Sequence, residues 1–235
     1  MSIDPIATVR SCFGEKFAIP RQPGLCPSAW GKVIFHPPYR SREAVRGIEG
    51  FSRLWLIFGF HATAGQGWKP TVRPPRLGGN QRVGVFASRS TFRPNGLGLS
   101  LVKLEGVDHE DPDGPVLLLG GIDLLDGTPV YDVKPYLPYA EAQPEASGGF
   151  ATGEIQRLPV EIAPEAEPAF ALLPTRSRAV LMEALSLDPR PATRADESGR
   201  EFGALLCGCN VVFFIRDGVC RICSIEKAEG SGLNA

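Results

Sequence analysis

Arginines held among prolines and glycines are the first residues in this chain with a chemistry to offer. Thr71–Asn80 reads TVRPPRLGGN and Ser88–Gly96 reads SRSTFRPNG. Arg73, Arg76, Arg89 and Arg93 sit there beside ring-restricted backbone, which lowers the entropy lost when the loop is ordered. Their guanidinium forks suit phosphate or carboxylate. Trp68 and Phe92 supply aromatic faces of the kind on which bases stack. A solvated loop would mix signs of charge. This one does not: no Asp or Glu occurs between Glu49 and Glu105, a span carrying Arg53, Lys69, Arg73, Arg76, Arg82, Arg89, Arg93 and Lys103.

Two other stretches are dense in polar turn residues. In Gly121–Tyr136, Asp126-Gly127-Thr128-Pro129 forms a natural turn between strands. Its amides and the Asp126 carboxylate could face a ligand with a hydroxyl, amino or sulfonium group, although such a turn also stands without a ligand. Pro20-Arg21-Gln22-Pro23-Gly24 makes either a rigid polar edge or an ordinary loop. Only three histidines, His36, His61 and His109, are available for acid–base work.

The composition excludes several classes. With 43% hydrophobic and 22% charged residues in 235, the chain reads as soluble and globular rather than disordered, long enough for one or two domains. The net charge of -1 averages two unlike halves: residues 1–100 hold 14 basic and 4 acidic side chains, residues 101–235 hold 11 and 22. That asymmetry points to a polyanionic partner held by one end of the chain. The longest apolar run, Leu54–Phe60, is far short of the ~20 residues of a membrane-spanning helix. No secretory leader is evident, so the cytoplasm is expected. Gly96-Leu97-Gly98 lacks the third glycine of a dinucleotide loop, and there is no Walker A sequence or G-x-S-x-G elbow.

Cys207, Cys209, Cys220 and Cys223 have a spacing that invites a zinc site. Strand pairing argues otherwise. A hairpin turning at Asp217-Gly218 sets Cys220 opposite Ile215, Cys223 opposite Val212 and Cys209 opposite Glu226. Cys209 and Cys223 are then three residues apart, roughly 10 Å along the strands. Buried structural thiols and no metal are expected.

The elements that must position these residues are mostly strands. Ile6–Arg10, Lys32–Phe35, Arg53–Phe60, Val83–Phe86, Gly98–Gly106, Val116–Leu119 and Val130–Lys134 are short, apolar or alternating, and bounded by turn residues. So many short strands need a closed or strongly curved sheet to hide their edges. A connector rich in Ala, Pro and Glu follows, with one strand in Gly153–Ile162. Thr175 is the expected N-cap of a helix whose Val180, Leu181, Ala184 and Leu185 share a face. Asp188-Pro189 ends that helix, and Val211–Arg216 and Val219–Ile225 pair near the C-terminus. The expected organisation is mainly β: a β-barrel-like N-terminal domain over 1–145, a connector over 146–174, and a small α+β C-terminal domain over 175–235.

GIEGFSRLW (Gly47–Trp55), TVRPPRLGGN, SRSTFRPNGLG and LLDGTPVYDVKPYLPY occur in the order in which the TrmO family, also called YaeB or TsaA-like, carries similar motifs. The resemblance runs from about Ile6 to Tyr139 and more weakly into Asp188-Pro189-Arg190-Pro191. It implies a β-barrel methyltransferase, distinct from the Rossmann type, that uses S-adenosylmethionine. The implied target is N6 of threonylcarbamoyladenosine at tRNA position 37, directly 3′ of the anticodon in threonine tRNAs. It also implies a homodimer. By resemblance the cofactor pocket draws on Arg21, Gln22, Pro23, His61, Ala62, Arg89, Leu99, Leu125, Asp126, Gly127 and Thr128. Arg73, Arg76, Arg82 and Arg93 are assigned to RNA phosphates or to the substrate's threonyl carboxylate. N6 must lose a proton, and His61 and Asp126 are the candidate acceptors. Two rival readings keep part of this: a methyltransferase of small molecules, and a non-catalytic RNA-binding module.

Overall fold

The computed structural model describes residues 3–78, 80–191 and 198–228. Strands dominate the first two thirds of the chain, as the turn-bounded apolar segments predict. They are β1 (Ala7–Ser11), β2 (Trp30–Phe35), β3 (Arg53–Gly59), β4 (Thr71–Val72), β5 (Val83–Gly84), β6 (Leu97–Asp108), β7 (Val116–Gly120) and β8 (Pro129–Pro135). Six of them close into a barrel in the order β1-β2-β7-β6-β3-β8, while β4 and β5 pair as a small ribbon. Closure pairs the strand edges that an open sheet would leave exposed. The residues divide into two compact units. One comprises the chain up to Val9, Lys32–Leu119 and Gly127–Glu154; the other comprises Arg10–Gly31, Gly120–Asp126 and the chain from Ile155 onward.

In the first unit, alternation decides which side chains fill the barrel. Leu54, Leu56 and Phe58 of β3 and Ser100, Val102 and Leu104 of β6 are buried, and every second residue faces out. β3 lies antiparallel between β6 and β8, with Gly59 opposite Leu97 and Phe58 opposite Val130. The glycines that imitate a dinucleotide loop have barrel roles. Gly96 takes a left-handed turn (φ 59°). Gly98 lies under the Phe58 ring, which leaves no room for a Cβ there. Phe58 in turn meets Phe60 edge-on, with ring centroids 5.0 Å apart. The expected strand Val83–Phe86 is extended only over Val83–Gly84, and Val85–Ala87 is a 3-10 turn. A four-residue helix, α1 (Pro138–Glu141), follows β8 and accepts the Trp55 indole N–H on Glu141 Oε1 at 2.7 Å.

The second unit is built on β9 (Val160–Ile162), α2 (Glu167–Leu172), α3 (Thr175–Ser186), β10 (Glu201–Leu206), β11 (Cys209–Arg216) and β12 (Val219–Lys227). Its sheet runs β10-β11-β12-β9, with β9 parallel to β12. α3 buries the expected Val180, Leu181, Ala184 and Leu185. Its N-cap is Pro174, extended at ψ 147°, and Thr175 is the first helical residue instead. Of the expected strand in Gly153–Ile162 only Val160–Ile162 is extended.

The β11–β12 hairpin turns at Asp217 and Gly218, both left-handed (φ 51° and 75°), as a tight two-residue turn requires. Cys220 lies opposite Ile215 as the register predicts. A bulge at Val212/Phe213 then displaces the pairing by one, so that Val212 faces Ser224, Cys209 faces Lys227, and Cys223 is the extra residue. Cys209 and Cys220 are buried, whereas Cys207 and Cys223 are half-buried. Among the described residues no three His, Cys, Asp or Glu side chains converge as metal ligands would, and no helix is long and apolar enough to cross a membrane.

Candidate functional site

The chain returns repeatedly to one end of the barrel. β3 ends there at Gly59, β6 begins opposite it at Leu97, and β8 enters alongside at Pro129 and Val130. The loops leaving this end enclose a cleft of about 340 Å³. His61, Thr63, Ala64, Gly67 and Trp68 form one wall, Thr91 and Arg93 to Gly96 form another, and Pro129 and Tyr131 of β8 complete the lining. Three backbone hydrogen bonds fix the walls: Phe60 N to Gly96 O (2.8 Å), Lys69 N to Phe92 O (3.2 Å) and Val85 N to Pro70 O (3.0 Å). Tyr131 packs over Gly59, where an added Cβ would lie 3.0 Å from its ring.

Of the sequence-predicted residues, His61 and Arg93 line this cleft and Ala62 is exposed next to His61. Arg93 also holds its own loop. Its Nη1 donates to Ser88 O at 2.7 Å and Val85 O at 3.2 Å, and its guanidinium lies 5.8 Å from the Phe86 ring centroid. Arg76 Nη1 donates to Ala151 O at 2.6 Å and Arg82 Nη1 to Thr71 Oγ1 at 3.3 Å. Arg73 and Arg89 are exposed, and so is Leu99 on β6. Trp68, which the sequence offers as a stacking face, lines the cleft, and Thr91, Asn95 and Tyr131 are cleft residues that sequence reasoning did not assign to a site, although all three lie within its motifs.

A second arrangement belongs to the other unit and joins two stretches that the sequence singles out separately. Gly24 N donates to Gly121 O at 2.8 Å, and Gly121 N to Ala29 O at 2.8 Å. This sets Arg21, Gln22 and Pro23 in a loop tied to the start of the Gly121–Asp126 segment. Asp126 closes that segment. Its Oδ1 accepts the Ser11 amide at 2.9 Å and its Oδ2 accepts Arg10 Nη1 at 3.0 Å, while Ser11 Oγ donates to Leu124 O at 2.7 Å. The Asp126 side chain is still 23% exposed. The expected turn amides are committed elsewhere: Asp126 N donates to Phe13 O (2.9 Å) and Gly127 N to Val9 O (2.8 Å). Leu125 and Asp126 thus belong to one unit, and Gly127 and the buried Thr128 to the other. Arg10 and Ser11 carry no signal in the sequence, because they reach Asp126 across more than a hundred residues.

The same unit holds the thiols with perturbed acidity. A hydrogen bond from the Cys12 thiol lowers Cys207, aided by the Ser177 hydroxyl and the Arg176 charge, and burial opposes this only in part. Burial pushes Cys12 well above the usual thiol range and Cys220 up to about 12. In the barrel unit, a hydrogen bond from His109 lowers Glu49, and one to Asp132 raises Lys134.

Comparison with known proteins covers nearly the whole chain. Residues 8–142 match the tRNA-methyltransferase O N-terminal domain, and residues 155–228 match the TrmO C-terminal domain. The tRNA (adenine(37)-N6)-methyltransferase of Escherichia coli (strain K12) is 47% identical over 229 residues, 95% of this chain and 97% of that one. A putative S-adenosylmethionine-dependent methyltransferase, RcsF, of Pseudomonas aeruginosa is 46% identical over 214 residues, 89% of this chain and 90% of that one. A crystal structure of TrmO from Pseudomonas aeruginosa superposes with a TM-score of 0.79 at 39% identity, covering 96% of this chain and 97% of that one.

Proposed function

The chain belongs to the tRNA-methyltransferase O family, and from that premise we propose that it transfers the methyl group of S-adenosylmethionine to N6 of the adenosine at tRNA position 37. The finer part of the proposal is that this adenosine carries threonylcarbamoyl, in threonine tRNAs. The cleft at the barrel end carries this reading, because it gathers His61, Trp68, Arg93 and Tyr131 where the arginine loops arise.

The residues present fit the donor. Asp126 keeps exposed carboxylate surface, and each of its oxygens has capacity beyond the one bond it accepts, so an ammonium or a ribose hydroxyl can be held there. We assign Arg21, Gln22, Pro23, His61, Ala62, Arg89, Leu99, Leu125, Asp126, Gly127 and Thr128 to donor binding, as the family resemblance implies. When bound, the donor supplies an electrophilic methyl on a sulfonium with a good leaving group. The protein's task is therefore mostly alignment and charge placement.

The amine is the difficult partner, since N6 is conjugated to the purine and the carbamoyl group and must lose a proton. His61, exposed in the cleft, takes that proton on an imidazole nitrogen. Asp126 suits anchoring better than proton transfer, because Arg10 and the Ser11 amide already engage both oxygens. Arg93, at the cleft wall, faces the threonyl carboxylate. Arg73, Arg76 and Arg82 hold phosphates. A homodimer working in the cytoplasm completes the proposal, and sedimentation of the purified protein tests the dimer.

The deciding experiment incubates the protein with methyl-labelled S-adenosylmethionine and threonine tRNA with or without the threonylcarbamoyl group. Label is expected in the modified tRNA at position 37. No transfer to either tRNA overturns the proposal, and equal transfer to both overturns its finer part.

A further inference from the structure

Of the three tryptophans, Trp68 alone stands mostly in solvent. Trp30 is 7% exposed, Trp55 is half-buried with its indole N–H bonded to Glu141, and Trp68 is 55% exposed. A large apolar ring left outside the core and at the wall of a cleft marks a contact surface rather than a packing residue.

Its backbone is fixed on both sides. Gly67, in the left-handed region at φ 68°, precedes it. Lys69 follows, with its amide bonded to Phe92 O at 3.2 Å and its ammonium 4.4 Å from the Phe92 ring centroid. Pro70 then accepts the Val85 amide. The ring is thus offered from a braced segment, so little further ordering is needed when a partner stacks on it.

The surroundings select the partner. Lys69, Arg73, Arg76, Arg82, Arg89 and Arg93 lie in the segments that carry or face Trp68, and no acidic residue occurs among them. A purine attached to an RNA backbone brings the matching negative charge. S-adenosylmethionine, with a sulfonium, an ammonium and one carboxylate, is a net cation, and this charge disfavours it. N6 of a base stacked in an anticodon loop must also be brought out of its stack before a protein can act on it, and an aromatic platform offsets the lost stacking.

We propose that Trp68 is the stacking surface for the target purine of the tRNA, positioning its N6 in the cleft beside His61. This rests on the reading of the chain as a tRNA methyltransferase.

The test compares wild type with Trp68→Ala, Trp68→Phe and Trp55→Phe. An anticodon stem-loop carrying the modified adenosine is titrated into each protein without donor while tryptophan fluorescence is read. Quenching is expected in wild type and Trp55→Phe and is expected to be lost in Trp68→Phe. In turnover, Trp68→Ala should lower kcat/KM for tRNA by 10- to 100-fold, about 1.4 to 2.7 kcal/mol. Trp68→Phe should retain most of the rate, and KM for S-adenosylmethionine should not move. Because the Trp68 side chain is exposed, a thermal melt like that of wild type is expected for both Trp68 variants. Quenching that persists in Trp68→Phe overturns the inference, as does an unchanged kcat/KM in Trp68→Ala. An effect confined to KM for S-adenosylmethionine also overturns it, by assigning the ring to the donor's adenine. If wild type itself methylates no tRNA, the functional reading falls instead.

Discussion

Gly24 donates its amide to the carbonyl of Gly121 at 2.8 Å, and both residues are left-handed, at φ 78° and 63°. A Cβ on Gly121 would stand 3.4 Å from the Gly24 Cα. Glycine is required by the backbone at both places, and the bond ties the PRQPG loop to the segment ending at Asp126. Gly121→Ala therefore imposes a left-handed alanine, costing about 1–2 kcal/mol. If the two segments together hold the donor, this variant should also bind S-adenosylmethionine at least tenfold more weakly by calorimetry. Stability lost with affinity unchanged would separate the Gly24–Gly121 bond from cofactor binding.

Asp126 and Arg10 are expected to respond unequally. Asp126→Asn keeps an oxygen for the Ser11 amide but loses the charge that an ammonium would need, so donor affinity should fall at least tenfold, about 1.4 kcal/mol. Arg10 is 57% exposed, and its ion pair is worth about 0.2–1 kcal/mol at most. Arg10→Ala should therefore change the urea midpoint only slightly. Calorimetric titration of both variants checks the difference, and wild-type affinity in Asp126→Asn would remove the carboxylate from the donor site.

The barrel was legible because its strands are short apolar or alternating runs bounded by turn residues, Arg53–Phe60 among them. Its ends were less so. Val85–Ala87 turns although its apolar side chains suit a strand, because Arg93 draws the Val85 and Ser88 carbonyls to one guanidinium. The bulge beside Cys223 likewise leaves no mark on a pattern that alternates correctly on either side of it. At the site, family motifs marked His61, Arg93 and Asp126, yet the residues that hold the Asp126 carboxylate, Arg10 and Ser11, sit in an ordinary strand. Their contact depends on tertiary closure, which local pattern does not encode. The assembly of Gly24 with Gly121 is of the same kind: each loop could be seen, but not that one is bonded to the other.

Cysteine reactivity should follow the contacts rather than the exposure alone. Cys207 is held below the usual thiol range chiefly by the hydrogen bond from Cys12, with Ser177 and Arg176 adding to it, whereas burial raises Cys12. At neutral pH iodoacetamide should alkylate Cys207 before Cys223, the other half-buried thiol, which burial raises. Ser177→Ala should shift the pH profile of Cys207 alkylation upward, since one stabilising bond to the thiolate is gone. Peptide mapping across a pH series measures both, and alkylation of Cys223 first would show that access, not acidity, governs this pair.

The arginines should separate into two groups when salt dependence and substrate choice are measured together. An arginine on a phosphate releases a counterion on binding, so its removal lowers the slope of log affinity against log salt by about 0.9. Arg73, exposed beside the cleft-bearing loops, should behave so, and Arg73→Ala should leave the preference for modified over unmodified tRNA intact. Arg93 lines the cleft while clamping the Val85 and Ser88 carbonyls. Arg93→Ala should leave the slope nearly unchanged but reduce that preference at least tenfold, because the threonyl carboxylate then loses its partner. Arg93→Lys keeps the charge without the fork and separates the loop clamp from the carboxylate contact. Restored preference in the lysine variant, despite a lowered melting temperature, would assign Arg93 to the substrate. A slope reduced equally in Arg73→Ala and Arg93→Ala would place both residues on the RNA backbone.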